Sequence, residues 1–204
     1  MTDNQATDTI RLLKAGRVIP DVIPTSSNFS PDVFFSIIWP SNGTEVTEPG
    51  STVPKGLTND EPQIKLLPTF VSNDEALYTI VMTDPDAPSR VDPKFGEWRH
   101  WILSGLTSPR AELASSSQGQ ILKKSKSTIT PYYPPEPPAG SGPHRYVFLL
   151  FREPAGGIAI PDDAVERKAE SGNRSKWNAM AFAHQYDLKL VGANFFLTEV
   201  KTHG

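Results

Sequence analysis

The chain has 204 residues and a formal net charge of −3, with 20 Lys and Arg against 23 Asp and Glu. That length suits one domain over the whole chain, 1–204. The mixed charges supply neither the basic face of a nucleic-acid binder nor an electrostatic reason to bind an anionic membrane tightly. There are no cysteines, which excludes disulfides, a thiolate nucleophile and cysteine metal sites.

The first residues, MTDNQAT, are polar, and residues 1–7 read either as a mobile arm or as an ordinary frayed terminus. They hold no apolar core of a secretory signal. The longest apolar runs, such as VFFSIIW and YVFLLF, fall far short of the roughly 20 residues that span a bilayer. The expectation is a soluble, cytoplasmic monomer with at most peripheral membrane contact. The sequons NFS, NGT and NRS are accordingly read as chance matches.

Residues 6–16, ATDTIRLLKAG, predict a helix with Thr and Asp cap candidates and a stop at Gly16. Strands are predicted at 33–39, 63–67, 77–82, 100–105, 145–151 and 193–200, all rich in Val, Ile, Phe, Tyr and Leu. Several are apolar almost throughout, as strands covered on both faces are. Residues 108–128, polar and rich in Ser and Lys, read as a mobile surface insertion. The Pro-rich segment 130–143 is expected to be a rigid loop feeding the next strand, in preference to a polyproline ligand for an SH3-type partner. Two late helices are predicted. One covers 161–171, opened by Pro161 and two acids. The other covers 175–188, with Ser175 as cap and Trp177, Met180, Ala181 and His184 on one stripe. Taken together, the pattern predicts a β-sheet core with further layers packed on it.

The polar residues of interest flank strands. Asp84 and Asp86 follow LYTIVM, in TDPDAPSR. Trp98, Arg99 and His100 precede WILSG. His144 and Arg145 precede YVFLLF. If these strands are neighbours with their ends on one side, Asp84, His100 and His144 converge. Each residue alone reads as a turn or strand-end residue. Jointly they read as the wall of a pocket, with prolines and glycines fixing the backbone around it.

TDPDAPSR, EWRHW and GSGPHRYVFLLF, in that order, resemble the signature segments of the phosphatidylethanolamine-binding protein family, also called the Raf kinase inhibitor protein family. The resemblance is dense from Leu77 to Phe151. FAHQYDLKLVGANFF resembles the family's closing helix and strand. IPDVIP and LVGANFFLTEV are most similar to the fungal carboxypeptidase Y inhibitor branch. The resemblance implies a mainly β fold, a β-sandwich with peripheral helices and a small anion pocket at one end. That pocket would use Asp84, His100 and His144, with Trp98 and Tyr146 nearby and Pro138 and Gly142 from the preceding loop. Asp86 and Arg90 would hold the loop rather than touch ligand. Arg99 stands where family members often have a second histidine, and is expected to face outward and add positive charge at or behind the rim.

The resemblance further implies a non-enzymatic protein without a cofactor, binding a phosphate or phosphorylethanolamine headgroup and modulating protein partners, signalling kinases among them. The alternative is an inhibitor of a vacuolar serine carboxypeptidase. In that branch an exposed N-terminal segment occupies the protease site. In the pocket two imidazoles would each donate a hydrogen bond to an anion, a carboxylate would orient one of them, and the loop backbone would add donors. Two enzymatic readings compete. One takes Asp84, His100 and His144 as a two-histidine, one-carboxylate metal site, although no HExxH spacing is present. The other is a serine hydrolase, for which GSGPH lacks the GxSxG pattern.

Overall fold

A computed structural model describes residues 2–68, 76–108 and 119–202. Among the described residues ten strands form two sheets. The first contains β1 (Phe35–Trp39), β2 (Thr44–Val46), β4 (Gln63–Leu66) and β7 (Gln120–Ile121), in the order β2-β1-β4-β7. The second contains β3 (Ser51–Thr52), β5 (Leu77–Asp84), β6 (Trp98–Thr107), β8 (Lys123–Lys124), β9 (His144–Arg152) and β10 (Lys189–Thr198), in the order β3-β10-β9-β5-β6-β8. All pairings are antiparallel except that of β3 with β10. The six predicted strands are all present. The missed ones are edge pieces of two or three residues, too short to carry an alternating pattern.

The larger sheet is buried on both faces, which explains its nearly continuous apolar strands. Along β9, Tyr146, Phe148 and Leu150 join Ile37, Trp39 and Ile64 in a core between the sheets. Val147, Leu149 and Phe151 join a second core beneath the helices. That outer layer contains α1 (Thr2–Ala15), the single turn α2 (Val18–Asp21) and α3 (Ala179–Gln185). Leu13, Val18, Phe182 and Trp177 fill it.

Several expectations are corrected here. α1 begins at Thr2, not Ala6. No α-helix forms over 161–171, which folds as turns with short 3-10 pieces at Val165–Arg167 and Ser171–Asn173. The physical reason is competition for its carbonyls. Arg99 Nη2 takes Val165 O and Lys168 O at 2.7 and 3.0 Å, and Arg174 Nε takes Ala169 O at 2.7 Å. The last helix starts at Ala179, capped by Asn178 Oδ1 accepting from Ala181 N at 2.6 Å. Ser175 and Trp177 lie outside it, because Lys176 has a left-handed φ of 53° and Asn178 is extended. Part of the expected insertion, 109–118, lies outside the described residues. The part from 119 onward is no loose excursion: β7 pairs with β4, β8 pairs with β6, and Leu122 between them is buried.

Candidate functional site

The strand order β9-β5-β6 sets the end of β5 beside the starts of its two neighbours. Asp84 at the end of β5 therefore meets Trp98 and His100 at the start of β6 and His144 and Tyr146 at the start of β9. All five line one cavity of about 260 Å³, together with Pro138. Gly142 does not line it. Its φ of 80° lets the loop turn two residues ahead of His144, a backbone shape that favours glycine.

A register shift decides which β6 residue faces the cavity. Met82 pairs with Trp101, but Thr83 pairs with Arg99, which leaves His100 as the extra residue of a β-bulge. A bulge re-aims a side chain. His100 turns to the cavity, where its ring meets Tyr146 edge-on with centroids 5.2 Å apart. Arg99 goes to the opposite face. It is buried under Trp177, 5.6 Å from the ring, and does not line the cavity, so of the two expected positions, at or behind the rim, it is not at the rim. Burial lowers its pKa to about 10, against the pull of Glu166.

The two imidazoles are not equivalent. His144 Nδ1 donates to Asp84 Oδ2 across 2.8 Å, with both side chains buried. His144 Nε2 is 2.9 Å from Ser141 Oγ, which also lies 2.7 Å from Pro138 O. A hydroxyl has one hydrogen. Ser141 either donates to Nε2, or donates to Pro138 O and accepts from Nε2.

His100 Nδ1 lies 2.7 Å from Tyr133 O, a carbonyl that can only accept. Nδ1 therefore carries the hydrogen. Burial pushes the pKa of this ring down to about 4, with Asp84 and the Tyr133 carbonyl opposing. Near neutral pH its Nε2 is an acceptor, whereas the expectation had both rings donating to an anion. Glu136 and the ring of Tyr133 complete one side of the cavity, and Ala87, Pro88, Phe95 and Ser171 the other walls.

Behind the cavity two buried arginines set the backbone. Arg145 makes a bidentate pair with Asp86, Nε to Oδ2 at 2.9 Å and Nη2 to Oδ1 at 2.6 Å, and its N–H gives Asp86 Oδ2 a further bond at 2.8 Å. Arg145 Nη1 reaches Arg17 O and Asp21 Oδ2, each at 2.8 Å, and Gly16 O at 3.1 Å. Asp86 therefore holds the loop, as expected; its own N–H bonds Asp84 Oδ1 at 2.7 Å. Arg90 likewise donates to Gly16 O at 3.2 Å. Arg174 donates to Arg99 O, His100 O and Pro131 O, each at 3.0 Å, beneath the Tyr133 ring.

Tyr133, Glu136, Ser171 and Arg174 were not legible as site residues. They sit in irregular segments without periodicity, and Arg174 was read only as part of a sequon. Among the described residues no group of three or more His, Cys, Asp and Glu is placed to hold a metal ion, so the geometry lends nothing to the metal-site reading. No helix among the described residues is long and apolar enough to cross a membrane.

Residues 43–196 match the family model described as phosphatidylethanolamine-binding protein. Carboxypeptidase Y inhibitor of Saccharomyces cerevisiae is 31% identical, over 97% of this chain and 100% of its own length. An uncharacterized protein of the same yeast is 33% identical over 75% of this chain and 76% of its length. Among solved structures, carboxypeptidase Y inhibitor complexed with its cognate proteinase superposes with a TM-score of 0.73 at 29% identity, covering 97% of this chain and 100% of that one. Phosphatidylethanolamine-binding protein from Plasmodium vivax follows at a TM-score of 0.72 and 26% identity, covering 94% and 97%.

Proposed function

The chain belongs to the phosphatidylethanolamine-binding protein family, and on that premise we propose that it inhibits a serine carboxypeptidase of the carboxypeptidase Y type, acting by binding rather than catalysis. One observation carries this reading. The family match begins at residue 43, whereas the likeness to the yeast inhibitor takes in 97% of the chain. The likeness to an inhibitor, at 31% identity, therefore takes in the segment ahead of residue 43, most of which the Plasmodium vivax protein, covering 94% of this chain, has as well. Here that segment runs through α1, the turn α2 behind it and β1. Asn4, Thr7 and Asp8 on α1 are exposed, while Leu13 and Val18 are buried. The start of α1 is accessible to a partner, and its end is anchored.

The test is inhibition of carboxypeptidase Y by the full-length chain, beside a variant lacking residues 1–7 and the variant His144→Ala. Inhibition by the full chain and by His144→Ala, lost on deletion, is expected. Absence of inhibition by the full chain would overturn the reading and return attention to other protein partners, signalling kinases included.

A second activity is supported by the cavity itself. His144, oriented by Asp84, would offer Nε2–H as a donor to a ligand oxygen that takes the place of Ser141 Oγ, and His100 offers an acceptor. A phosphate monoester in its monoanionic form matches both, with an anionic oxygen for His144 and a P–OH for His100. The apolar flank of Phe95, Pro88 and Trp98 suits the carbon part of a headgroup, and Glu136 suits an ammonium group. The site is a headgroup pocket, too small for acyl chains. Binding of phosphorylethanolamine by the full chain and its loss in His144→Ala would be read by calorimetry. Equal binding by the two proteins would refute it.

A further inference from the structure

A second cavity lies on the other side of the TDPDAPSR loop. Its volume is about 610 Å³, and Pro85, Asp86, Gly96, Glu97, Lys176 and Asn178 contribute to its wall. Asp86 and Arg145 are turned toward it but are spent on each other, and Asp21 is paired with Arg145 and Arg17. Three groups remain uncommitted. Arg90 and Lys176 form no ion pair within 4.0 Å among the described residues. Arg90 makes only the bond to Gly16 O. The third is Glu97.

Glu97 is 8% exposed and stands in the wall of this cavity. Its Oε1 accepts from Ala179 N at 3.3 Å, while its Oε2 has no hydrogen-bond partner. Thr83 Oγ1 is close to the carboxyl but gives its hydrogen to Trp98 O at 3.1 Å. A buried carboxylate oxygen without a partner carries a desolvation penalty and calls for a donor. None of the side chains around it supplies one: Trp177 Nε1 is committed to Glu166 Oε1 at 2.9 Å.

We propose that this second cavity is a binding site for a small molecule that carries an ammonium or hydroxyl group for Glu97 Oε2 and an anionic group for Arg90 and Lys176. The depth of Glu97 and the exposure of the two cations fix the polarity. The donor end enters first, and the anion stays at the mouth. A purely anionic ligand would meet Asp86 and Glu97 inside with nothing to offer them. A purely cationic one would leave Arg90 and Lys176 unused and pass them on entry. The site shares the loop 85–90 with the headgroup cavity but none of its imidazoles.

The experiment uses the full chain at pH 8, where the Glu97 carboxyl has given up its proton, labelled with ¹⁵N and titrated with 3-aminopropylphosphonate and, separately, with propylphosphonate, which lacks the ammonium. The amides of Gly96, Glu97, Lys176 and Asn178 report the second cavity; those of Ser141 and His144 report the first in the same spectra. We expect 3-aminopropylphosphonate to shift the second set, with propylphosphonate about tenfold or more weaker there. Glu97→Gln should weaken the second-set response about tenfold and leave the first set unchanged. Because Glu97 also supports Ala179, the exposed substitution Lys176→Ala serves as an independent variant, and it should weaken the second-set response several-fold. Shifts confined to Ser141 and His144, or second-set shifts of equal strength for both compounds and both variants, would overturn the proposal.

Discussion

His144 Nδ1 and Asp84 Oδ2 lie 2.8 Å apart with both side chains almost entirely out of solvent. The carboxylate has no freedom left. Its other oxygen accepts Asp86 N, which locks the turn after β5. Asp84→Asn keeps the shape but presents a second donor to Nδ1–H, or else turns its donor toward Asp86 N. One buried donor goes unpaired either way. We expect a stability loss of about 1–3 kcal/mol in urea denaturation, and at least a tenfold loss of affinity for phosphorylethanolamine by calorimetry. Unchanged affinity would mean that Asp84 does not orient the ring for ligand.

The unequal imidazoles predict selectivity by protonation. A phosphate monoester loses its last proton near pH 6, and a diester has none to give to His100 Nε2. Methyl phosphate should bind about tenfold or more tightly than dimethyl phosphate at pH 6. Its affinity should decline as pH rises to 8, as the P–OH disappears. Equal affinity for the two esters across that range would show that His100 contributes no acceptor.

Two buried groups titrate in opposite senses, and their effects on stability oppose each other. His100 is depressed from 6.5 to about 4, so the unfolded chain binds the proton first and stability falls as pH drops from 6.5 towards 4. Glu97 is raised from 4.5 to about 7, chiefly by burial, so the folded chain keeps its proton and stability falls as pH rises from 4.5 through 7. Each effect is about 3 kcal/mol when complete. Between pH 4.5 and 6.5 the two should nearly cancel. Relative to the parent, Glu97→Gln should gain stability steadily as pH rises to 8. His100→Gln should gain it as pH falls to 4. Denaturation midpoints measured at half-unit intervals would show this, and parallel curves for all three proteins would refute it.

Arg145 and Asp86 are both buried, so removing one partner leaves an uncompensated charge. Arg145→Met should cost about 3–5 kcal/mol. Removing Lys189, whose bond to Asp32 is exposed, should cost well under 1 kcal/mol. Equal losses from the two substitutions would contradict the burial argument.

The long strands were legible because the larger sheet is covered on both faces, and a run such as YVFLLF has few other uses. The meeting of Asp84, His100 and His144 was legible only as a condition, since strand order is not written in any one strand. What escaped the sequence depends on contacts between distant segments. The bulge that turns His100 inward and Arg99 away is a register shift against β5. The failure of the 161–171 helix lies in arginines that capture its carbonyls from outside. Edge strands such as β7 and β8 owe their form to the sheets they join. The roles of Tyr133 and Arg174 arise from loops that have no period of their own.

The fourfold grip of Arg145 has a thermodynamic corollary. One guanidinium ties the loop after Asp84 to the chain at Gly16, Arg17 and Asp21, with Arg90 adding a bond to Gly16 O, so the root of the N-terminal helix is fastened to the loop that borders the headgroup cavity. Any partner that drew the helix root away would alter the affinity of the cavity. By reciprocity, a headgroup in the cavity would change the partner's affinity by the same factor. A protein built in this way can report a small phosphate on one face to a macromolecule on another without any large rearrangement of its sheets.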